Sequence, residues 1–237
     1  MPEEPETPQV ITPTPTPVAS PDLILSRKSA FEALDDLFIE TGIRRGSSQA
    51  MDWYKSLVRQ LFEGTDMSPE ETVLRDRTRM IQKSGYKRLG GMYLFNYLPR
   101  KTKKPLKYYD TVPLVFILQY TKDGFLGLNL HYLHPTMREK FFSMLQLRMR
   151  GSIDNPLSRL DLEYKTLKKN RQFRYYRPCI KRYKTKYIGS RILHIWPKDW
   201  QFAIHLPIER FKKKSKYQVW MESRQKLLEE KQGVGEQ

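Results

Sequence analysis

The sequence has a single cysteine, Cys179, and this scarcity limits its possible chemistry. One thiol excludes an internal disulfide and any zinc site built from several cysteines. We therefore expect a protein of a reducing compartment. Long apolar runs are also missing, and no segment approaches the roughly 20 apolar residues that a membrane-spanning helix needs. Residues 1–21 lack the basic start and apolar core of a secretory signal, so we expect a soluble, intracellular chain with no membrane partner.

Recognisable catalytic groupings are missing as well. His131 and His134 are three residues apart, but no paired cysteine or carboxylate accompanies them, which favours structural histidines over a metal site. The aspartates are scattered and form neither a nuclease pattern nor the carboxylate cluster of two-metal catalysis. Gly90-Gly91 indicates a turn rather than a phosphate-binding loop, and Cys179 has no evident base partner. We predict a non-enzymatic protein with no cofactor and no metal, and a metal-dependent phosphodiesterase is the enzymatic alternative.

What the sequence has in excess is positive charge. Lysine and arginine number 43 against 26 aspartate and glutamate residues, which gives a net charge of +17. Residues 1–85 hold 10 basic and 14 acidic residues, whereas residues 86–237 hold 33 basic and 12 acidic residues. Such asymmetry indicates a mildly acidic N-terminal part joined to a basic part that binds an anionic partner.

An acid-free stretch, residues 164–198, contains twelve of these basic residues. A dense row of cations binds nucleic acid by releasing counterions condensed on the phosphates, whatever the base sequence. A solvated basic face is the alternative interpretation. We assign the interleaved aromatic residues to the core rather than to base stacking. Further basic clusters lie at residues 100–107 and 210–216. The residues predicted to contact nucleic acid, with the five from 174 to 184 at the centre, are Lys165, Lys168, Lys169, Arg171, Arg174, Arg177, Lys181, Arg182, Lys184, Lys186, Arg191, Arg210, Lys212, Lys213, Lys214 and Lys216.

The apolar pattern predicts an α+β fold, with a small SH3-like or OB-like β-barrel core decorated by helices. Residues 1–24 are expected to be a disordered tail, 25–85 an N-terminal helical segment, 86–216 the basic barrel domain and 217–237 a C-terminal helix and tail. The turn Lys122-Asp123-Gly124 predicts a hairpin. Predicted helices lie near 31–42, 54–64, 68–85, 134–150, 157–169 and 217–231, and predicted strands near 92–97, 112–120, 125–131, 191–196 and 201–206.

Several long motifs resemble a single protein family. They are DGFLGLNLHYL at 123–133, YYRPCIKRY at 175–183, WQFAIHL at 200–206, PIERF at 207–211 and KYQVWMESR at 216–224. With them, residues 85–225 are similar to the DNA end protector family of T-even-like, contractile-tailed bacteriophages. Residues 1–50 lie outside the resemblance.

The resemblance implies a virion protein that binds the ends of packaged double-stranded DNA and shields them from host exonucleases. It also implies other neck or head proteins as partners, and a location in the host cytoplasm during assembly. Basic residues would clamp the terminal phosphates, so that occupancy alone denies the end to a nuclease. A structural neck, head-completion or baseplate protein of such a phage is the alternative.

Overall fold

The computed structural model describes residues 30–62, 73–74, 76–99, 106–149, 173 and 176–232. Helices and strands are mixed along this part of the chain. The helices are α1 (Ala30–Glu40), α2 (Ser48–Phe62), α3 (Pro135–Met149), α4 (Trp200–Ala203) and α5 (Lys216–Gln232). The strands are β1 (Met80–Gln82), β2 (Met92–Tyr97), β3 (Tyr109–Asp110), β4 (Leu114–Thr121), β5 (Gly124–Asn129), β6 (Ile180–Lys184), β7 (Ile188–Ile195) and β8 (Phe211–Lys212).

Six of the described strands form one antiparallel sheet in the order β1-β7-β2-β4-β5-β6. β3 and β8 pair separately as a two-stranded ribbon. The predicted hairpin is confirmed, since residues 122–123 turn the chain from β4 into β5. A three-residue 3-10 turn, Thr185–Tyr187, joins β6 directly to β7, although β5, β4 and β2 lie between these strands in hydrogen-bonding order.

The sheet is strongly curled. Three strand spacings separate β2 from β6, which in a flat sheet would place them about 14 Å apart. The rings of Phe95 on β2 and Tyr183 on β6 nevertheless lie only 5.4 Å apart between centroids, and those of Tyr97 and Tyr183 only 5.0 Å apart. β6 therefore folds back over β2, but hydrogen bonding among the described strands stops at β1 and β6, so the sheet does not close into the expected barrel.

Both faces of the sheet are apolar because the curl covers one face and the helices cover the other. The inner face gathers a small, mainly aromatic core that includes Phe95, Phe125 and Tyr183. The outer face joins α1, α2, α3 and α4 in a much larger core. Phe202 of α4 packs edge-on against Phe31 of α1 at 5.8 Å. The N-terminal helices thus share a core with the sheet.

Two buried arginines fix loops to this core. Arg79 contacts Asp76 at 3.1 Å and Asp199 at 2.5 Å, and its guanidinium lies over the rings of Phe31 and Trp196. Arg138 of α3 donates from Nε to the carbonyls of Leu130 and Leu133 at 2.9 and 3.0 Å, donates from Nη1 to the carbonyl of Ile204, and pairs with Glu209. A buried charge is tolerated where such partners surround it.

The structure corrects two predicted elements. The helix predicted near 68–85 includes residues 73 and 74, which are helical, but it ends too late, because Arg79 turns into the core within a 3-10 turn and Met80–Gln82 then pairs with β7. The strand predicted at 201–206 is wrong. That apolar run forms the short helix α4 and is buried on all sides, where apolar character alone does not distinguish helix from strand.

Other predicted elements are confirmed, with shifted ends for several of them. These are α1, α2, α3 and α5 and the strands β2, β4, β5 and β7. The tail at 1–24, the helix at 157–169 and most of the loop at 100–107 lie outside the described residues. No helix in the part of the chain that the structure describes has the length and apolar character to cross a membrane.

The buried imidazole of His205 predicts a specific pH dependence of stability. Burial lowers the pKa of His205 to about 4, with Glu139 and Asp52 opposing this and Lys55 and Arg138 adding to it. Because the folded pKa lies below the ordinary value, the contribution to stability is complete above about pH 6.5 and is lost as the pH falls toward 4. We expect this group to remove about 3 kcal/mol of unfolding free energy between pH 7 and pH 4.

The variant His205→Gln isolates this effect because glutamine does not titrate. Urea unfolding of both proteins from pH 7 to pH 4 should show a stability difference that shifts by about 3 kcal/mol in favour of the variant. Parallel stability curves for the two proteins would contradict the assignment.

Candidate nucleic-acid interface

The open edge of the curled sheet carries exposed cations. Arg182 and Lys184 on β6 alternate with the buried Tyr183, so their side chains leave the core. Both contact one carboxylate in the β4–β5 turn, with Arg182 Nη2 at 2.8 Å from Asp123 Oδ1 and Lys184 Nζ at 2.9 Å from Oδ2. Hydrogen bonds from Arg182 and then Lys184 hold the pKa of Asp123 well below its usual range. Lys186 follows, exposed, in the 3-10 turn. We call Arg182, Lys184 and Lys186 the basic edge.

Lys181 is placed differently from its neighbours in sequence. Its ammonium lies 4.3 Å from the ring centroid of Tyr132 and donates to the carbonyl of Pro178 at 2.7 Å. Burial lowers the pKa of Lys181, and the nearby Lys226 lowers it further. This lysine packs the start of β6 against its neighbours rather than extending into solvent.

A second group of cations surrounds β8 and the start of α5. Lys212 and Lys213 are exposed, and Lys213 donates to the carbonyl of Leu106 at 3.1 Å from a backbone with φ of 71°. Lys214 pairs with Glu222 and lies 4.7 Å from the ring centroid of Tyr108. Lys216 lies 5.6 Å from the Trp220 ring, and Arg210 is exposed. We call residues 210–216 the basic turn.

Tyr132 links Lys181, at the start of β6, to the basic turn. Its ring lies below the Lys181 ammonium, 5.1 Å from the Phe211 ring and 5.9 Å from the Tyr108 ring. Because Tyr108 in turn lies under Lys214, the start of β6 and the basic turn share one aromatic support. The start of β6 and the basic turn, about 30 residues apart in sequence, are therefore close in space.

The remaining predicted contacts have different positions. Arg177 is exposed in the 3-10 turn before β6. Arg191 is exposed on β7 opposite Gln82 of β1, at the other side of the hydrogen-bonding order from β6. The predicted residues outside the described part of the chain are Lys165, Lys168, Lys169, Arg171 and Arg174.

Three further exposed cations, not among the predicted contacts, lie in the β4–β5 turn and on α5. Lys122 lies beside Asp123 in the β4–β5 turn, and Arg224 and Lys226 lie on α5. Lys226 is close enough to influence both Cys179 and Lys181. Its signal in the sequence was weak, because it lies within an ordinary mixed-charge helix.

Two of the residues considered for chemistry, His131 and Cys179, are buried, whereas His134 is exposed. His131 is buried and bonded through Nδ1 to Asp110 at 2.8 Å, while burial raises the pKa of the Cys179 thiol to about 12. The aromatic residues Phe173, Tyr176 and Tyr183 are buried, which confirms their assignment to the core. Across the described residues no group of three or more His, Cys, Asp or Glu side chains could hold a metal ion.

The fold and its exposed cations define a basic α+β protein suited to an extended anionic partner. The chain matches the family model described as phage T4 terminal DNA protecting protein over residues 70–226, and it belongs to that family. The matched residues include both the basic edge and the basic turn, and the resemblance noted from the sequence motifs is confirmed. No curated protein and no solved structure gave a match.

Proposed function

We propose that the protein binds the ends of packaged double-stranded DNA in a phage virion and shields them from host exonucleases. The observation that carries this proposal is membership of a terminal DNA protecting family over residues 70–226. The exposed cations within that range supply the chemistry, because phosphate contacts give tight binding that does not depend on base sequence. Other neck or head proteins would be partners in the virion, after assembly in the host cytoplasm.

Protection in this proposal is steric and needs no bond chemistry. The basic edge holds phosphates near the terminus, and the basic turn and the predicted cations outside the described residues extend the grip along the backbone. Lys181 supports the surface from beneath, since its ammonium is already engaged by Tyr132 and Pro178. An exonuclease then finds its substrate occupied.

We further propose that the curled sheet is an SH3-like unit rather than an OB-like one. Four strands, β2, β4, β5 and β6, pair in succession, and β7, the last strand of this sheet in chain order, returns to pair with β2. The 3-10 turn Thr185–Tyr187 between the last two strands of this sheet supports the same assignment. In this arrangement the basic edge lies where the chain enters that turn.

The deciding experiment compares binding to linear and closed-circular duplex of the same sequence over a salt series. Exonuclease digestion of the linear form runs in parallel. We expect preferential binding to the linear form, protected termini, and an affinity that falls steeply with salt. Equal binding to both forms with no protection would refute the proposal and leave a structural virion protein as the better account.

Removing the carboxylate at the basic edge should strengthen binding. The variant Asp123→Asn frees Arg182 and Lys184 and removes one negative charge facing the phosphates. Since one additional phosphate contact changes the affinity as salt to the power of about 0.9, we expect about 5-fold tighter binding at 0.15 M salt. Exonuclease protection should persist.

The matched control is Asp52→Asn, which removes the same charge from an exposed position on α2. Its affinity should stay within about 2-fold of the wild type, because screening limits charge effects to about 8 Å at this salt concentration. Divalent-ion-dependent cleavage of DNA by the wild type that is lost in Asp123→Asn would instead favour the metal-dependent phosphodiesterase.

A further inference from the structure

The loop between β1 and β2 presents a tyrosine almost fully to solvent. Tyr86 is 82% exposed, yet the backbone around it is fixed by short hydrogen bonds. The Gly85 N–H donates to the carbonyl of Gln82 at 2.9 Å. The Lys87 ammonium donates to the carbonyls of Lys83 and Gly85 at 2.6 and 2.7 Å. The ring of Tyr86 is therefore held outward by an ordered loop.

Lys87 stabilises this loop at a cost. It is buried, and burial lowers the pKa of its ammonium. Burying a cation is unfavourable unless hydrogen bonds replace its hydration, and here two carbonyls of its own loop do so. A loop fixed in this way while its aromatic side chain remains in solvent resembles a pre-organised binding element more than a solvated connection.

A second tyrosine lies beside the first. Tyr120 on β4 is 43% exposed, and its hydroxyl accepts the Lys87 N–H at 3.2 Å and donates to the Lys87 carbonyl. It thereby lies next to Tyr86, the residue before Lys87. Burial raises the pKa of Tyr120, and the neighbouring Tyr86 raises it further. We call Tyr86 and Tyr120 the tyrosine platform.

The surroundings of the platform are cationic. Residues 83–91 contain three basic residues and no acid, and Lys83 and the nearby Lys122 are exposed. Asp123, in the adjoining turn, is already paired with the basic edge. Exposed aromatic rings among cations are the combination with which proteins stack on nucleobases.

The platform and the basic edge lie at the same end of the sheet. Tyr120 is opposite Phe125 of β5, which is opposite Tyr183 of β6. These three neighbouring strands span about 10 Å. Tyr120 shares the face of Phe125 and Tyr183, whereas Arg182 and Lys184 alternate with Tyr183 and point to the other face. A DNA terminus therefore reaches both surfaces by covering this rim of the sheet.

We infer that the tyrosine platform stacks on the terminal base pair of a duplex while the basic edge holds its phosphates. This inference rests on the proposed function and adds the source of its selectivity. Phosphates are alike along the whole duplex, so contacts to them cannot distinguish an end from the interior. Only an end exposes the flat face of a base pair, and aromatic stacking recognises that face.

The test uses blunt duplexes that carry 2-aminopurine at the terminal or at an internal position. With wild-type protein at saturation, we expect quenching of the terminal probe and little change in the internal one. The variant Tyr86→Ala should lose the terminal quenching and about 5- to 150-fold of the preference for linear over circular DNA. Its affinity for circular DNA should remain.

The control is Ile39→Ala, because Ile39 is a large side chain 68% exposed on α1, outside the residues that match the family and outside the platform. It should retain the terminal quenching and the preference for linear DNA. If the wild type prefers linear DNA and Tyr86→Ala keeps that preference and the quenching, the inference is overturned while the proposed function stands. If the wild type shows no preference for linear DNA, both are overturned.

Discussion

Replacing Arg182, Lys184 and Lys186 together by glutamine is expected to weaken binding to linear duplex DNA about 100-fold at 0.15 M salt. Each phosphate contact contributes about 0.9 to the slope of log K against log salt. Three lost contacts should therefore lower that slope by about 2.7. The same variant should leave DNA termini open to exonuclease at protein concentrations at which the wild type protects them.

The structure offers a control with the same change in net charge. Arg44, Lys55 and Arg59 are exposed on or beside α2, outside the residues that match the family. Their joint replacement by glutamine should alter affinity by less than about 5-fold, since these residues belong to neither the basic edge nor the basic turn and exposed charges are screened beyond about 8 Å at this salt concentration. Equal losses in the two triple variants would show that total charge, rather than the basic edge, determines binding.

Changing Arg138 to methionine is expected to destabilise the fold by about 3–5 kcal/mol. Methionine fills much of the same space but leaves Glu209 buried without its partner, and three carbonyls lose their donor. An uncompensated buried charge is among the costliest changes that a protein can undergo. Urea unfolding at pH 7 measures the loss directly.

Two further variants separate charge from packing at this site. Neutralising the partner as well, in Arg138→Met with Glu209→Gln, should recover about half of the lost stability, because no unpaired carboxylate remains. Arg224→Met on exposed α5 should change stability by less than about 0.5 kcal/mol. A double variant no more stable than the single one would show that the lost carbonyl contacts dominate.

The local signals in the sequence predicted most helices and the central strands. α1 and α2 were found because their apolar residues recur at helical spacing and glycine follows. β2 was predicted with its observed bounds, since a run of aromatic and aliphatic residues follows a glycine pair. Elementary rules identify a short segment when its own residues determine its structure.

The errors occur where a distant partner decides the structure. The sequence around Arg79 is typical of a charged helix, but Arg79 is buried because its guanidinium pairs with Asp199, 120 residues later. β6 was not predicted because three of its five residues are basic, namely Lys181, Arg182 and Lys184. Only Tyr183 is fully buried, so the strand shows no clear alternation of apolar and polar residues. No local pattern carries that information.

The sequence predicted which basic residues form the candidate interface better than it predicted the directions of their side chains. The acid-free stretch identified the basic edge, yet it could not show that Lys181 turns inward while Arg182 turns outward. The tyrosine platform had no sequence signal, because Tyr86 resembles any tyrosine in a basic loop until its exposure is known. Orientation of side chains had to come from the fold.

The single buried thiol can report local opening of the fold, because its reaction with a thiol reagent requires that opening. Cys179 lies in the core between β6 and α5, so a thiol reagent reaches it only when that region opens. The labelling rate then measures the free energy of opening without any engineered probe. If DNA is held at the basic edge as proposed, it binds the folded protein more tightly than the unfolded chain, and bound DNA should slow that labelling as occupancy rises.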